Sequence, residues 1–257
     1  MKLDDIKKLH QKKYRQAFGH FLVEGEHLVL ELEKACRQVP TSAWGQAQLY
    51  VTSTYEHWNS PWPKHLVSDR QMAQLADTKT PQGILAVVPM PPATKGGAVT
   101  GEKAIYLHEV QDPGNLGTIL RTLAWFGGLR CLLSPGSVDP FNPKVVRASM
   151  GAIFHVPIET EVSLDTLANR YPCIACLDIG GAPIANPAFA EHDCYLFGNE
   201  ARGVPSEALN ELAAQRFTIP GAAKIESLNL ASAVNMAVYE LNRSTIANVA
   251  SPFKANQ

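Results

Sequence analysis

The chain has 257 residues and a mass of 28.0 kDa, which at about 100–200 residues per domain allows one large domain or two small ones. Hydrophobic residues make up 46% and charged residues 18%, which excludes a disordered chain, and 18 Gly without a fixed period exclude collagen. The formal net charge of −1 hides an asymmetry: residues 1–95 carry 12 Lys/Arg against 9 Asp/Glu, and residues 96–257 carry 11 against 15.

Six bases (Lys2, Lys7, Lys8, Lys12, Lys13, Arg15) and two acids fall in the first 15 residues. Such a start either attracts phosphates or forms a solvated helix face. It is polar and lacks the apolar stretch of a signal peptide. No run of 18 apolar residues occurs, so no membrane span is expected. Five Cys, an odd number spread through apolar stretches, suit reduced thiols in a cytosolic protein.

In chain order, Phe21–Val23 reads as a strand, and Glu26–Cys36 as a helix with Leu28, Leu30, Leu32 and Ala35 as its apolar residues. Gln48–Thr52, His65–Val67 and Gly83–Val88 are further strands, and Asp69–Ala76 is a short helix capped by Ser68 or Asp69. These make a small α/β domain over residues 1–92. Residues 93–102 are rich in Gly and lack aliphatic periodicity, as a linker does. Beyond it strands and helices alternate more clearly. Ala104–His108, Arg130–Leu133, Phe154–Ile158, Cys173–Ile179, Tyr195–Gly198 and Phe217–Ile219 read as strands. Leu116–Phe126, Pro143–Met150 and Ser227–Asn242 read as helices. Alternation of this kind over 103–257 implies a mainly parallel sheet with helices on both faces.

Several chemistries lack their motif. No two Gly are spaced G-x-G, so no dinucleotide fingerprint is present, and there is neither a phosphate-binding P-loop nor a G-x-S-x-G elbow. Cys173-Ile-Ala-Cys176 is a lone C-x-x-C within a predicted strand, where the two side chains point to opposite faces. Buried core thiols are the expectation there. The eight His show no i, i+4 pairing, so no metal is expected.

Three segments that each follow a strand are more informative. In the first, Leu107 to Arg121, Asn115 opens a helix and Arg121 lies six residues on; Asn115 could be a cap and Arg121 a surface cation. In the second, Leu196 to Gly203, a strand delivers Gly198-Asn199-Glu200 to the edge where α/β sheets bind ligands. A helix-start loop with Glu200 favouring the dipole is the alternative. In the third, Ile219 to Asn229, an Ala/Gly-rich loop opens a helix; Ser227 and Asn229 could be caps, or the loop's backbone could hold an adenine edge.

Taken in order, the three segments resemble motifs one, two and three of the SpoU (TrmH-type) RNA ribose methyltransferases of the SPOUT superfamily. Asn115, Gly117 and Arg121 fit N-x-G-x-x-x-R. Gly198, Asn199, Glu200 and Gly203 fit G-N-E-x-x-G, and Ile219, Pro220, Glu226, Ser227, Leu228 and Asn229 fit I-P…E-S-L-N. The stretch from Val138 to Phe154 is also similar to the family. Phe21–Gly25 and Pro81–Val88 are similar to the substrate-binding domain often fused ahead of the catalytic one. One departure is in the third motif, where Gly221 and Ala223 stand in place of the usual Met and Gly.

The resemblance implies an α/β SPOUT domain with a deep trefoil knot over roughly residues 194–243, preceded by a small α/β RNA-binding domain. It implies S-adenosylmethionine as cofactor, held near Phe197, Gly198, Asn199, Gly203, Ile219, Pro220, Leu228 and Asn229, and no metal. It implies transfer of a methyl group to a ribose 2′-hydroxyl, in large-subunit rRNA before tRNA, by a cytoplasmic homodimer joined through the SPOUT domain. Arg121 would grip the target phosphate and orient the hydroxyl, since a guanidinium is a poor base. Asn115 would orient the ribose or Arg121, Glu200 would fix Arg121 or Asn115 by a charge-assisted bond, and Ser227 and Asn229 would complete the catalytic group. Lys12, Lys13, Arg15, Asn142, Lys144 and Arg147 would bind RNA, the last three with a solvated helix as the alternative, and Tyr14, Phe18 and Phe21 are interleaved with the basic residues as stacking bases would need, though Phe18 could be core and core is the expectation for Phe21.

Overall fold

The computed structural model describes residues 1–39, 43–92, 102–222, 224–225 and 227–248. The predicted linker lies almost wholly outside the described residues, as do Ala223 and Glu226. The chain divides into two compact units: Met1–Lys95 with Asp112–Arg121 and Val138–Val156, and Gly96–Gln111 with Thr122–Ser137 and Pro157–Gln257.

The first unit is built on a four-stranded sheet of β1 (His20–Glu24), β2 (Gln48–Val51), β3 (Lys64–Leu66) and β4 (Ile84–Pro89), in the order β1-β4-β2-β3. β4 runs antiparallel to β1 and β2, and β2 pairs parallel with β3. The continuous apolar run Phe21-Leu22-Val23 is buried throughout, which means both faces of β1 are covered. On one face Leu22 joins Ile6, Leu9, Tyr50, Met72, Leu75, Leu85 and Val87, residues that include those of α1 (Leu3–Lys8) and α4 (Asp69–Leu75). α4 starts at Ser68, whose hydroxyl accepts from the Gln71 amide while the Gln71 side chain accepts from the Ser68 amide. On the other face Phe21 meets Phe141, with ring centroids 4.8 Å apart.

α3 (Glu26–Gln38) buries Leu28, Val29, Leu32 and Ala35, the i, i+3/i+4 stripe. Leu30, counted above with the apolar residues, points to solvent at 36% exposure. α2 (Lys12–Phe18) ends at Gly19, whose φ of 65° makes the left-handed cap that glycine supplies cheaply. The first part of α5 (Pro113–Phe126) and all of α6 (Pro143–Ser149) also belong to this unit. Of the strand expected at Phe154–Ile158 only Ile158 is in a strand, a two-residue one that it opens. Met150 and Gly151, at φ 51° and 93°, end α6 and turn the chain into a 3₁₀ turn at Ala152–Phe154.

The second unit carries a six-stranded, wholly parallel sheet in the order β10-β8-β9-β5-β6-β7. Its strands are β5 (Lys103–Leu107), β6 (Leu129–Leu133), β7 (Ile158–Glu159), β8 (Ile174–Pro183), β9 (Cys194–Phe197) and β10 (Gln215–Thr218). β9 and β6 are buried at every residue, as helices on both faces of a parallel sheet require. One layer of core joins Tyr106, Leu132, Leu167, Ile174, Cys194, Leu196 and Leu209. It includes residues of α7 (Leu164–Arg170) and α8 (Ser206–Glu211), two helices the sequence reading did not find. β8 runs on to Pro183, beyond its expected end, and its pairing with β10 jumps from Cys176 opposite Arg216 to Ala182 opposite Phe217. There Gly181 lies so close that a Cβ would sit 2.3 Å from the Phe217 amide nitrogen.

α9 (Leu230–Asn248) starts three residues later than predicted, because the Asn229 side chain caps it by accepting from the Ser232 amide at 3.2 Å. Cys173 precedes β8 and is exposed, which corrects its reading as a core thiol; Cys176 is buried as expected. Among the described residues no helix is long and apolar enough to cross a membrane.

Candidate active site

Because every strand of the large sheet is parallel, β5, β6, β9 and β10 release their following loops at one edge of it. At the end of β9 the chain makes a closed turn. Asn199 and Gly203 exchange backbone hydrogen bonds of 3.1 and 2.8 Å. The Asn199 side-chain oxygen accepts from the amides of Ala201 and Arg202 at 2.9 and 3.1 Å, and its amide group donates to the Glu109 carbonyl at 2.8 Å. A Cβ on Gly198 would lie 2.5 Å from the Gly203 carbonyl carbon, and Gly203 has φ 65°. So three of the four fixed residues of G-N-E-x-x-G have a physical reason here: close approach at Gly198, a buried clamp at Asn199 and left-handed backbone at Gly203. Glu200 is left exposed on the turn. The Asn199 side chain is buried and bonded within the protein.

β9 and β10 both neighbour β8, two strand positions apart in the sheet. Past β10, Ile219 is half-buried and Pro220, Gly221, Ala222, Ser227, Leu228 and Asn229 are exposed, with Ile225 at 72% and Leu228 at 43%. A Cβ at Gly221 would meet nothing within 4 Å, so the departure from the family pattern opens space there. The segment therefore presents backbone groups and apolar side chains with room beside them. That set suits a neutral heteroaromatic ring and a ribose, so S-adenosylmethionine fits these residues in chemistry.

In the first unit, Asp112 rather than Asn115 caps α5: its carboxylate accepts from the Asn115 amide at 2.7 Å, with Pro113 at the first helical position. Asn115 is half-buried, and Arg121 is exposed with no hydrogen-bond or ion-pair partner among the described residues. Gly117 explains the middle of the first motif, since a Cβ there would come 2.4 Å from the Ala148 Cβ.

Three of the predicted RNA contacts take other roles. Arg15 is 2% exposed; its guanidinium donates to Asp139 from two nitrogens and to the Leu9 and His10 carbonyls. Asn142 caps α6 by accepting from the Lys144 amide at 2.9 Å. Arg147 pairs with Asp77 at 2.7 Å. All three are tied down inside the unit, which takes them out of an open phosphate-binding face. Phe21 is fully buried, the core position expected for it. Lys12, Lys13 and Lys144 are exposed as predicted, and the Lys13 ammonium sits 4.7 Å from the centre of the Tyr14 ring, itself stacked on Phe18.

The sequence reading missed Glu109, Ser134 and Arg202, which join the loops at the sheet edge. The Glu109 amide donates to the Ser134 hydroxyl at 2.7 Å, and Arg202 pairs with the Glu109 carboxylate at 2.6 Å. None of these three residues carries a local signal of its own: the helix start Asp112-Pro113 lies beyond Glu109, and Arg202 falls at a variable position of the second motif. Beside them burial holds the His108 imidazole below its ordinary pKa. Cys131 and Cys176 thiols are pushed up to about 12 by burial. Among the described residues no group of three His, Cys, Asp or Glu could hold a metal ion.

The SpoU rRNA methylase family profile matches residues 102–239, and the MRM3-like substrate-binding domain matches residues 2–86. The 23S rRNA (guanosine(2553)-2′-O)-methyltransferase RlmP of Bacillus subtilis is 33% identical, covering 93% of this chain and 95% of its own. Among solved structures, a protein described as an RNA methyltransferase of the TrmH family from Porphyromonas gingivalis superposes with a TM-score of 0.80 at 30% identity, over 94% of this chain and 97% of its own. An AdoMet-bound rRNA methyltransferase from Sinorhizobium meliloti gives 0.79 at 26% identity, over 94% of each chain. The chain belongs to the SpoU rRNA methylase family: it is an S-adenosylmethionine-dependent RNA methyltransferase with an α/β fold of the SPOUT type.

Proposed function

We propose that the protein methylates a ribose 2′-hydroxyl in large-subunit rRNA. The observation that carries the reading is the sheet edge where the Asn199–Gly203 turn and the exposed residues Pro220–Ala222 and Ser227–Asn229 follow strands two positions apart. The Bacillus relative, named for 2′-O-methylation of 23S rRNA, supports the substrate; tRNA is second.

The cofactor, when bound, supplies an electrophilic methyl on a sulfonium. Phe197, Gly198 and Gly203 on one side, with Ile219, Pro220, Leu228 and Asn229 on the other, hold it through backbone and apolar contacts. In-line attack needs a fixed hydroxyl, so positioning supplies much of the rate. Arg121 grips the phosphate beside the target ribose and orients its hydroxyl, and Asn115 orients the ribose. Glu200 fixes a cationic or amide partner by a charge-assisted bond, and Ser227 and Asn229 complete the catalytic group. Lys12, Lys13 and Lys144 contact RNA phosphates.

The domain layout in this reading is an RNA-binding domain at 1–92, a linker at 93–102 and the methyltransferase domain at 103–257, with a trefoil knot over roughly 194–243. The two family matches support the layout. The protein works as a homodimer through the methyltransferase domain. Trp125 at 70%, Tyr239 at 54% and Met236 at 44% exposure support this, since large apolar side chains left in solvent mark interaction surfaces. It acts where ribosomes assemble, in the cytoplasm.

The test incubates purified protein with methyl-labelled S-adenosylmethionine and unmodified total RNA, then digests separated rRNA and tRNA to nucleosides for mass spectrometry. The expected product is a labelled 2′-O-methyl nucleoside from the large rRNA. Cofactor binding without transfer to any RNA fraction, free or in ribosomal particles, contradicts it.

A further inference from the structure

Glu109, in the loop after β5, has φ 50°. Left-handed backbone crowds any residue that has a Cβ, and glycine or asparagine are the residues that adopt it readily. A chain built for stability alone places one of those here. Glu109 is instead held by every polar group it has. Its amide donates to Ser134 Oγ at 2.7 Å, in the loop after β6. Its carbonyl accepts from Asn199 Nδ2 at 2.8 Å, in the turn after β9, and from Gln111 Nε2 at 3.1 Å. Its carboxylate accepts from Arg202 Nη2 at 2.6 Å, in the same turn. Three loops of the sheet edge thus converge on one strained residue.

We propose that Glu109 is a positioning residue for methyl transfer: it locks the Asn199–Gly203 turn, and so Glu200, to the end of β5 through its carbonyl and its carboxylate. The proposal rests on the methyltransferase reading above. The backbone half of the lock, Asn199 to the Glu109 carbonyl, survives any substitution that keeps the conformation. The carboxylate half does not. Arg202 and Glu109 are 71% and 36% exposed in their side chains, and a pair so wetted adds little to stability. It adds direction: with Asn199 as the pivot, the Arg202 bond stops the turn from rocking about it. Strain retained at a residue whose side chain scarcely stabilises the fold is the pattern of a functional constraint.

The experiment measures single-turnover methylation of rRNA, the KM for S-adenosylmethionine, and thermal melting. It uses wild type, Glu109→Gly, Glu109→Gln, Arg202→Glu and the charge swap Glu109→Arg with Arg202→Glu. The glycine variant relieves the strain, so its Tm is expected equal to or above wild type while its turnover falls at least about tenfold, as a misplaced reacting group implies. KM for the cofactor should change less than turnover. The glutamine variant and Arg202→Glu should fall likewise, and the swap should recover much of the loss. Turnover within about twofold of wild type in the glycine and glutamine variants overturns the proposal. So does a loss that tracks a lowered Tm and is not recovered by the swap. An inactive wild type removes the methyl-transfer reading and this proposal together, which separates that failure from the others.

Discussion

Gly117 and Ala148 meet so closely that α5 and α6 can touch only because the first of them has no side chain. A Cβ at position 117 would lie 2.4 Å from the Ala148 Cβ and 2.8 Å from its carbonyl carbon. Gly117→Ala must therefore push backbone aside, and overpacking of this kind costs about 1–3 kcal/mol. A lowered Tm by circular dichroism is the expected result. Ala148→Gly should restore part of it in the double variant, because it removes the atom nearest the new Cβ.

Arg15 and Lys13 lie two residues apart on α2 and should fail in different ways. Arg15 is buried with Asp139, and removing one partner of a buried pair costs about 3–5 kcal/mol. Arg15→Ala should lose stability in denaturant melts. Lys13→Ala, at an exposed position, should leave melting unchanged and weaken RNA binding, with a shallower salt dependence. If Arg15→Ala melted like wild type, the buried pair would not hold this unit together.

The five thiols should separate by accessibility. Cys173 is exposed and Cys36 half-buried, while Cys131, Cys176 and Cys194 are buried with raised pKa values. A disulfide reagent at pH 8 should label Cys173 at once and Cys36 more slowly. The other three should react only on unfolding, since a thiol with a pKa of about 12 has almost no thiolate there.

His108 gives a pH dependence with a definite sign. Burial lowers its pKa in the folded state, and its Nδ1 is buried without a hydrogen-bond partner among the described residues. The unfolded chain then takes up the proton first, so this group favours unfolding as pH falls below about 6.5 and has no effect above it. Melting temperatures of wild type and His108→Gln between pH 7.5 and 5.5 check this: the wild type should lose more on acidification.

The alternation of apolar strands and helices announced the parallel sheet, because residues such as Leu196 and Tyr195 have no solvent face to compromise their pattern. The three motifs were legible for a related reason. In the first two, Gly117, Gly198 and Gly203 are fixed by close approach or by φ, and such demands leave a mark in sequence; in the third, Asn229 is marked as the cap of α9. What did not show was pairing over distance. Nothing near Arg15 says that Asp139 waits 124 positions away, so a buried tie read as a phosphate contact. Arg147 was misread likewise, its partner Asp77 lying on a different element. Glu109 carried no local signal at all, since its role comes from Ser134, Asn199 and Arg202 converging on it. The short helices α7 and α8 and the turn after Gly151 were set by tertiary packing and backbone handedness.

Methyl transfer to large-subunit rRNA, with Arg121 gripping the target phosphate, is what we propose for this chain. The most direct measurement compares wild type and Arg121→Ala in single-turnover methylation of unmodified large-subunit rRNA, with cofactor affinity and melting measured on the same preparations. The rate is expected to fall at least about a hundredfold, the scale of losing one preorganised charge-stabilising donor, with unchanged melting and cofactor binding. A variant that methylates at the wild-type rate would contradict it.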